Sequence, residues 1–231
     1  MKNVKKQQSQ IRTKLLESAC RIFAEKGYRE ATVAEICEAA NANVASINYY
    51  FGDKATLYKE AWLLSFNKSL ETYPPDGGVA ADAPVEERFK GRILAAVRRF
   101  SDPKSYEYEI MSKELSTPTG LLSKVIQESI EPLRQELIRI VRELLGKHST
   151  EQQAILCQRS IMGQCLNLTL NERRKKVFRE ARMESSSIDE NISIEEIANH
   201  IVNFSLAGVV KIRYQIENKH TNQMDIDKVL L

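Results

Sequence analysis

The chain has 231 residues, of which 42% are hydrophobic, and its 34 basic and 31 acidic side chains leave a net charge of +3. That length admits one large domain or two modest ones with a true core, and without a run of 18 apolar residues no membrane-spanning helix is expected. The polar, basic start lacks an apolar core segment, so no signal peptide is expected. Cys20, Cys37, Cys157 and Cys165 fall inside predicted helices and form no CxxC pair. They read as reduced core thiols of a cytoplasmic protein, and neither a metal site nor a cofactor is expected. His148, His200 and His220 are scattered, and HExxH, glycine-rich phosphate-loop and nucleophile motifs are lacking, so the chain does not read as an enzyme.

The charge is unevenly placed. Residues 1–54 hold nine basic and six acidic side chains, while the remainder is balanced at 25 and 25. Lys2, Lys5, Lys6, Arg12 and Lys14 all precede the first acid. Such an arm suits phosphate contacts if a DNA-reading element follows it. No alternating β-branched run marks a sheet. Apolar residues recur at helical spacing throughout, which predicts an all-α fold.

A first helix is predicted over about 10–27, with Ile11, Leu15, Ala19, Ile22 and Phe23 on one stripe and Gly27 as its stop. Residues 32–54 then carry the sharpest signal. Thr32 is a helix N-cap and Glu35, three positions on, completes a capping box. Val33, Ile36, Cys37 and Ala40 form one apolar face. Asn41-Ala42-Asn43 breaks the pattern, and Asn43 caps a second helix, Val44 to Phe51. Ile47 and Phe51 can be buried there, leaving Val44, Ala45, Asn48 and Tyr49 near the opposite side. Gly52-Asp53 ends that helix, and Asp53 caps the next.

A capped helix, a small-residue turn, and a short helix closing on an aromatic triplet and a lysine resemble the helix-turn-helix of TetR-type transcriptional repressors. The elements here are Thr32-Val33, Ile36, Ala40, Ala45-Ser46-Ile47, Tyr49-Tyr50-Phe51 and Lys54, with Leu16, Ala19, Phe23, Gly27 and Tyr28 in the preceding helix. Asn41 replaces the usual turn glycine and Asn43 the usual serine cap. Asn tolerates left-handed angles and caps well, so the motif stands. Asn43-Val44-Ala45 and Asn48 to Lys54 are most similar to the CecR-like branch. Glu131-Pro132-Leu133, Ile161 to Cys165 and Phe204 to Gly208 resemble that branch's C-terminal domain.

The resemblance implies an N-terminal three-helix reader with a basic arm, 1–57, then a helical effector-binding and dimerisation domain, 58–231. It implies a sequence-specific regulator: a repressor released from an inverted-repeat operator in double-stranded DNA by a small-molecule effector. Thr32, Tyr49, Tyr50 and Lys54 are placed to grip phosphates, which sets register. Val44, Ala45 and Asn48, with Asn43 at the cap, face the bases. No Arg, Lys or Gln lies on that helix, so thymine methyls and an adenine are what it can read.

A fourth helix is expected from Lys54, with Leu57, Ala61 and Leu64 inward, and Tyr73 to Gly78 is the clearest breaker. Phe89, Ile93, Val97 and Phe100 define a helix that Ser101-Asp102-Pro103 ends. Another follows from Lys104 to about Leu115. Thr117-Pro118 is expected to open a long helix that buries Leu122, Val125, Ile126, Leu133, Leu137, Ile140 and Leu144, with Pro132 inside it to kink it and Gly146 as its stop. Two more helices are predicted over 150–171 and 193–218, joined by a charged connector with Arg173, Arg174, Lys175 and Lys176, and the last dozen residues read as frayed.

No motif marks the effector pocket. Phe89, Tyr106, Met111 and Phe204 are candidate lining residues, with Glu114 and Arg134 as polar anchors. The helices at 150–171 and 193–218 are apolar on two sides and so need two partners. Ile155, Met162, Leu166, Ile201, Leu206, Gly208 and Val209 are the candidate homodimer interface, in a four-helix arrangement. The competing reading is a protein of the same fold that uses DNA as a scaffold and acts through a protein partner.

Overall fold

In the computed structural model the backbone of residues 2–180 and 192–229 is described, with side chains for 7–167 and 192–221. Those residues form nine helices and no strand, in the order α1 (Lys2–Glu30), α2 (Val33–Ala39), α3 (Ala45–Phe51), α4 (Lys54–Thr72), α5 (Val85–Ser101), α6 (Tyr106–Ser116), α7 (Ser123–Leu145), α8 (Glu151–Glu180) and α9 (Ile194–Val229). The expected all-α class is what the chain adopts. The side chains of Lys2, Lys5, Lys6, Leu168 and Arg173 to Lys176, the connector over 181–191 and the side chains of 222–231 lie outside the described residues.

Packing divides the chain into two compact units: residues 1–72 with 102–129, and residues 73–101 with 130–231. This division does not follow the expected functional one at 57/58. All of α4 packs with the reader, and so does α6, through large buried side chains. Tyr58, Trp62 and Phe66 of α4 are buried, as are Ile110 and Leu122 in the same unit. The indole N–H of Trp62 donates to the Glu107 carbonyl at 3.2 Å. In the second unit Phe89, Ile93 and Val97 of α5 share one core with Leu137, Ile140 and Val141 of α7, Cys165 of α8 and Ile201 of α9. The close Gly77–Gly91 approach ties the Pro-Gly loop onto α5. A Cβ on Gly77 would stand 2.3 Å from the Gly91 carbonyl oxygen, and Gly77 also has φ of 66°.

Element boundaries differ where tertiary bonds override local signals. At Gly27 (φ 75°, ψ 178°) helical geometry breaks, but one further turn runs to Glu30. The long helix does not open at Thr117-Pro118. A loop intervenes and α7 starts at Ser123, because the buried Glu114 carboxylate accepts hydrogen bonds from Thr119 N–H at 2.9 Å and Gly120 N–H at 2.8 Å. Pro132 lies inside α7, as expected, and α8 and α9 run longer than their periodic segments. On α9 the inward stripe is Ala198, Ile201, Val202, Ser205 and Val209, at helical spacing. Phe204 and Gly208, close to Ile201 around the helix, lie just outside this stripe and are exposed.

Candidate DNA-binding site

The reader is built by local chemistry. Thr32 Oγ accepts the Glu35 backbone N–H at 3.2 Å, and a Glu35 carboxylate oxygen accepts the Thr32 N–H at 3.0 Å, so the expected capping box is formed. Lys26 adds an ion pair to Glu35 at 2.5 Å. That partner first, and the Thr32 donors next, hold the Glu35 carboxyl down at about 2. Thr32 also donates its hydroxyl proton to Glu35 at 3.0 Å, so the group expected to grip a phosphate is engaged in the cap.

Asn41 adopts φ of 51° at the turn, the left-handed value its side chain tolerates. Asn43 Oδ1 accepts the Ala45 N–H at 2.9 Å and so caps α3, although the formal capping position is Val44. Asp53 Oδ1 accepts the Thr56 N–H at 2.7 Å and opens α4.

Ile47 and Phe51 are buried and orient α3. Val44, Ala45, Asn48 and Tyr49 are exposed, and Tyr50 is half-buried. Tyr49 and Tyr50 meet edge to face at 4.8 Å. Tyr49 therefore stands clear of the core, and Tyr50 is only partly packed into it. Lys54 is half-buried, with its ammonium 4.5 Å from the centre of the Tyr28 ring. Burial lowers its pKa.

Sequence reasoning missed three supports of this surface. Arg12 lies over the Phe51 ring at 5.0 Å and pairs with Glu60, which ties α1, α3 and α4 together. Lys26 reaches Glu35, and Tyr28 seats Lys54. Each joins positions on different elements, so no spacing rule could have found it.

The other candidates are dispersed. Tyr106, Met111 and Glu114 belong to the first unit and Phe89, Arg134 and Phe204 to the second. Phe89 is buried in the core, and Glu114 is buried and fully hydrogen-bonded. One buried guanidinium nitrogen of Arg134 lacks a hydrogen-bond partner. Phe204 is 63% exposed and stacks on His200, so it faces water in the single chain. Among the interface candidates, Ile201 and Val209 are buried in the chain's own core. Ile155, Met162 and Leu206 pack partly against that core, Leu166 is half-buried and Gly208 is exposed. His148 and His220, distant in sequence, meet with ring centres 3.8 Å apart. Among the described residues no group of three ligating side chains could hold a metal. All four thiols are buried, and burial raises them, Cys20 and Cys165 to about 12, the opposite of a reactive thiolate.

Residues 15–61 match the bacterial regulatory proteins of the tetR family. Residues 86–209, more than half of the chain, match the C-terminal domain of the HTH-type transcriptional dual regulator CecR. CecR of Shigella flexneri is 27% identical over 173 residues, which cover 71% of this chain and 77% of that protein. The crystal structure of AibR in complex with isovaleryl coenzyme A and operator DNA superposes with a TM-score of 0.64 at 17% identity, covering 84% of this chain and 97% of that one. A putative transcriptional regulator from Pseudomonas aeruginosa PAO1 gives a TM-score of 0.66 at 16% identity, over 90% and 92% of the two chains. At such identities the structures speak for the fold alone. No described helix is long and apolar enough to cross a membrane. The chain belongs to the TetR family of transcriptional regulators, which are not enzymes, and carries a CecR-type C-terminal domain.

Proposed function

We propose that this chain is a cytoplasmic, homodimeric repressor that binds an inverted-repeat operator and leaves it when a small-molecule effector binds. In this reading residues 1–57 contact DNA, and residues 58–231 hold the effector and the dimer interface. The observation that carries it is the exposed set of Val44 at the cap of α3 and Ala45, Asn48 and Tyr49 on it, held outward by buried Ile47 and Phe51. Val44 and Ala45 contact thymine methyls, Asn48 reads an adenine, and Tyr49, Tyr50 and Lys54 contact phosphates. Thr32 acts through its cap, presenting the start of α2 rather than donating its hydroxyl.

A helix this short reads few base pairs, so two copies are required, with half-sites about 34–36 Å apart on the DNA. The exposed side of α9, with Phe204, Gly208, Val210 and Tyr214, supplies the second-copy surface.

Selection of bound sequences from a random duplex pool tests this reading. The expected result is an inverted repeat with half-sites one turn apart, and enrichment of unpaired sites overturns the dimeric reading. An effector must raise the melting temperature of free protein. By linkage, it must lose affinity for the operator complex by the factor through which it weakens operator binding. Equal affinity for free and DNA-bound protein rejects a compound as the inducer.

A further inference from the structure

Glu114 sits buried on α6, and its two oxygens accept hydrogen bonds from four uncharged donors. These are the Tyr58 hydroxyl at 3.2 Å, the Thr119 N–H at 2.9 Å, the Thr119 hydroxyl at 2.9 Å and the Gly120 N–H at 2.8 Å. Tyr58 is 0% exposed. Burial, and then Glu114, push its phenol upward, so it stays a proton donor. Its ring meets Phe23 edge-on at 4.8 Å and Tyr28 at 5.1 Å. The Lys54 ammonium rests on the other partner of that pair, 4.5 Å above Tyr28. A continuous path therefore runs from a carboxylate on α6, through a phenol on α4 and a ring at the end of α1, to the first residue of α4. Two further contacts bind α6 and its loop to the same end of α1. Lys113 packs against Gly27, and Arg29 donates to the Pro118 carbonyl at 3.5 Å.

The geometry points to Glu114 as a positioning residue for DNA binding, which holds Tyr58 and thereby the Tyr28 ring that seats the Lys54 ammonium. This rests on the proposed phosphate contact of Lys54. Two properties make the path responsive. A carboxylate accepts at both oxygens, whereas an amide offers one acceptor and adds two donors, so four converging donors suit a carboxyl group and not an amide. A cation over a ring is held at short range and partly desolvated, so a displaced ring releases the lysine to water. Movement of α6 or of the 117–122 loop is then felt at Lys54 with no rearrangement of α2 or α3.

The test uses full-length Glu114→Gln, Tyr58→Phe, Tyr28→Leu and Lys54→Ala, each alone, with the first two also on the Lys54→Ala background. Lys54 is titrated by NMR in lysine-labelled protein, and binding to a mixed-sequence DNA duplex is followed against salt. In the unmodified protein Lys54 titrates below an ordinary lysine, and in Glu114→Gln, Tyr58→Phe and Tyr28→Leu it moves back toward the ordinary value. Lys54→Ala lowers the slope of log K against log salt by about 0.9 per lost contact. Glu114→Gln and Tyr58→Phe weaken binding by no more than Lys54→Ala, and add nothing once Lys54 is gone. A purely structural role for Glu114 lowers the melting temperature but leaves the Lys54 titration in place. Tyr58→Phe keeps the packing, so it carries the test if Glu114→Gln fails to fold. An unchanged Lys54 titration in Tyr58→Phe, or DNA effects that add in full to Lys54→Ala, overturns the proposal. An unchanged slope in Lys54→Ala overturns the phosphate contact itself, and the titration then decides separately whether the path exists.

Discussion

Both compact units leave large apolar side chains in water, in different settings. In the reader, Val44 (54% exposed) caps a two-turn helix that carries Tyr49 (71%) beside Asn48, behind a basic N-terminal stretch. In the second unit, exposed Leu156, Phe204, Val210 and Tyr214 spread over two long helices whose other sides are packed. Isolated apolar groups among polar neighbours suit a wet, charged groove, where phosphates supply affinity and a few methyl contacts supply selection. An extended apolar face suits a dry contact with a second copy. Hydrophobicity alone does not separate the two uses; the neighbours of each exposed side chain do.

The sharpest way to break the comparison is to charge the second face. Val210→Asp replaces a side chain that is 64% exposed, so the single chain loses little stability. The expected outcome is a monomer by sedimentation and loss of operator binding with an intact far-ultraviolet circular dichroism spectrum. A persisting dimer would move the interface elsewhere. Ile201→Asp is not an equivalent test, because Ile201 is only 3% exposed and belongs to the core of the unit itself.

The next effect is on the reader. Ile47 is 1% exposed and fixes the direction of α3. Ile47→Ala is expected to cost about 2–5 kcal/mol of local stability. Hydrogen exchange should show lost protection in α2 and α3, while Cys157 and Cys165 in the second unit keep their resistance to thiol reagents. Accelerated labelling of those thiols would mean that the two units unfold as one.

These two variants also mark what was legible in the sequence. The reader's caps, turn and buried pair could all be read in advance, because Thr32 with Glu35, Asn43 with Ala45 and Asp53 with Thr56 act over two or three residues. The family resemblance extended the same stretch. What escaped reading was long in range. Nothing in the spacing of residues 114–120 announced that Glu114 would gather Thr119 and Gly120 and delay α7. Helical periodicity identifies α9 as apolar on two sides but does not say that Ile201 is buried within the chain while Phe204 and Gly208 are exposed. When apolar residues surround a helix, its pattern no longer says which stripe faces home. The effector candidates are aromatic, methionine or charged residues in helices, and that chemistry is shared by ordinary core. The structure accordingly distributes them over both units.

A smaller effect is expected at the cap. Thr32→Ala removes the acceptor for the Glu35 N–H and should cost about 1 kcal/mol. Acid should act on the same box. The Glu35 carboxyl is lowered from 4.5 to about 2 by Lys26 and then by Thr32. A carboxyl depressed in the folded state contributes stability above its unfolded pKa and loses it as pH falls through the folded value. The contribution of the box should therefore be complete above about 4.5 and fade toward 2. Thr32→Ala and Lys26→Ala should both flatten that part of the reader's acid profile. A profile unchanged in both variants would place acid sensitivity elsewhere.

The smallest effect tests whether the exposed apolar groups of α3 read bases at all. Val44 and Ala45 bring only methyl groups to the groove, and a thymine offers one methyl in return. Uracil in place of thymine removes that methyl and leaves every hydrogen-bonding group of the base pair intact. At about 0.8 kcal/mol per buried methylene-sized group, each contacted position should weaken binding about fourfold, less than the 1–3 kcal/mol typical of a mismatched pair. Competition between thymine- and uracil-substituted half-sites, scanned one position at a time, resolves differences of that size. Val44→Ala should abolish the uracil effect at one position and leave the others, which ties the methyl to the side chain. Asn48→Ala should relax discrimination at an adenine and leave the uracil pattern unchanged. If uracil is neutral across the whole half-site, Val44 and Ala45 are spacers that let the helix approach, and selection must come from the cost of deforming the duplex.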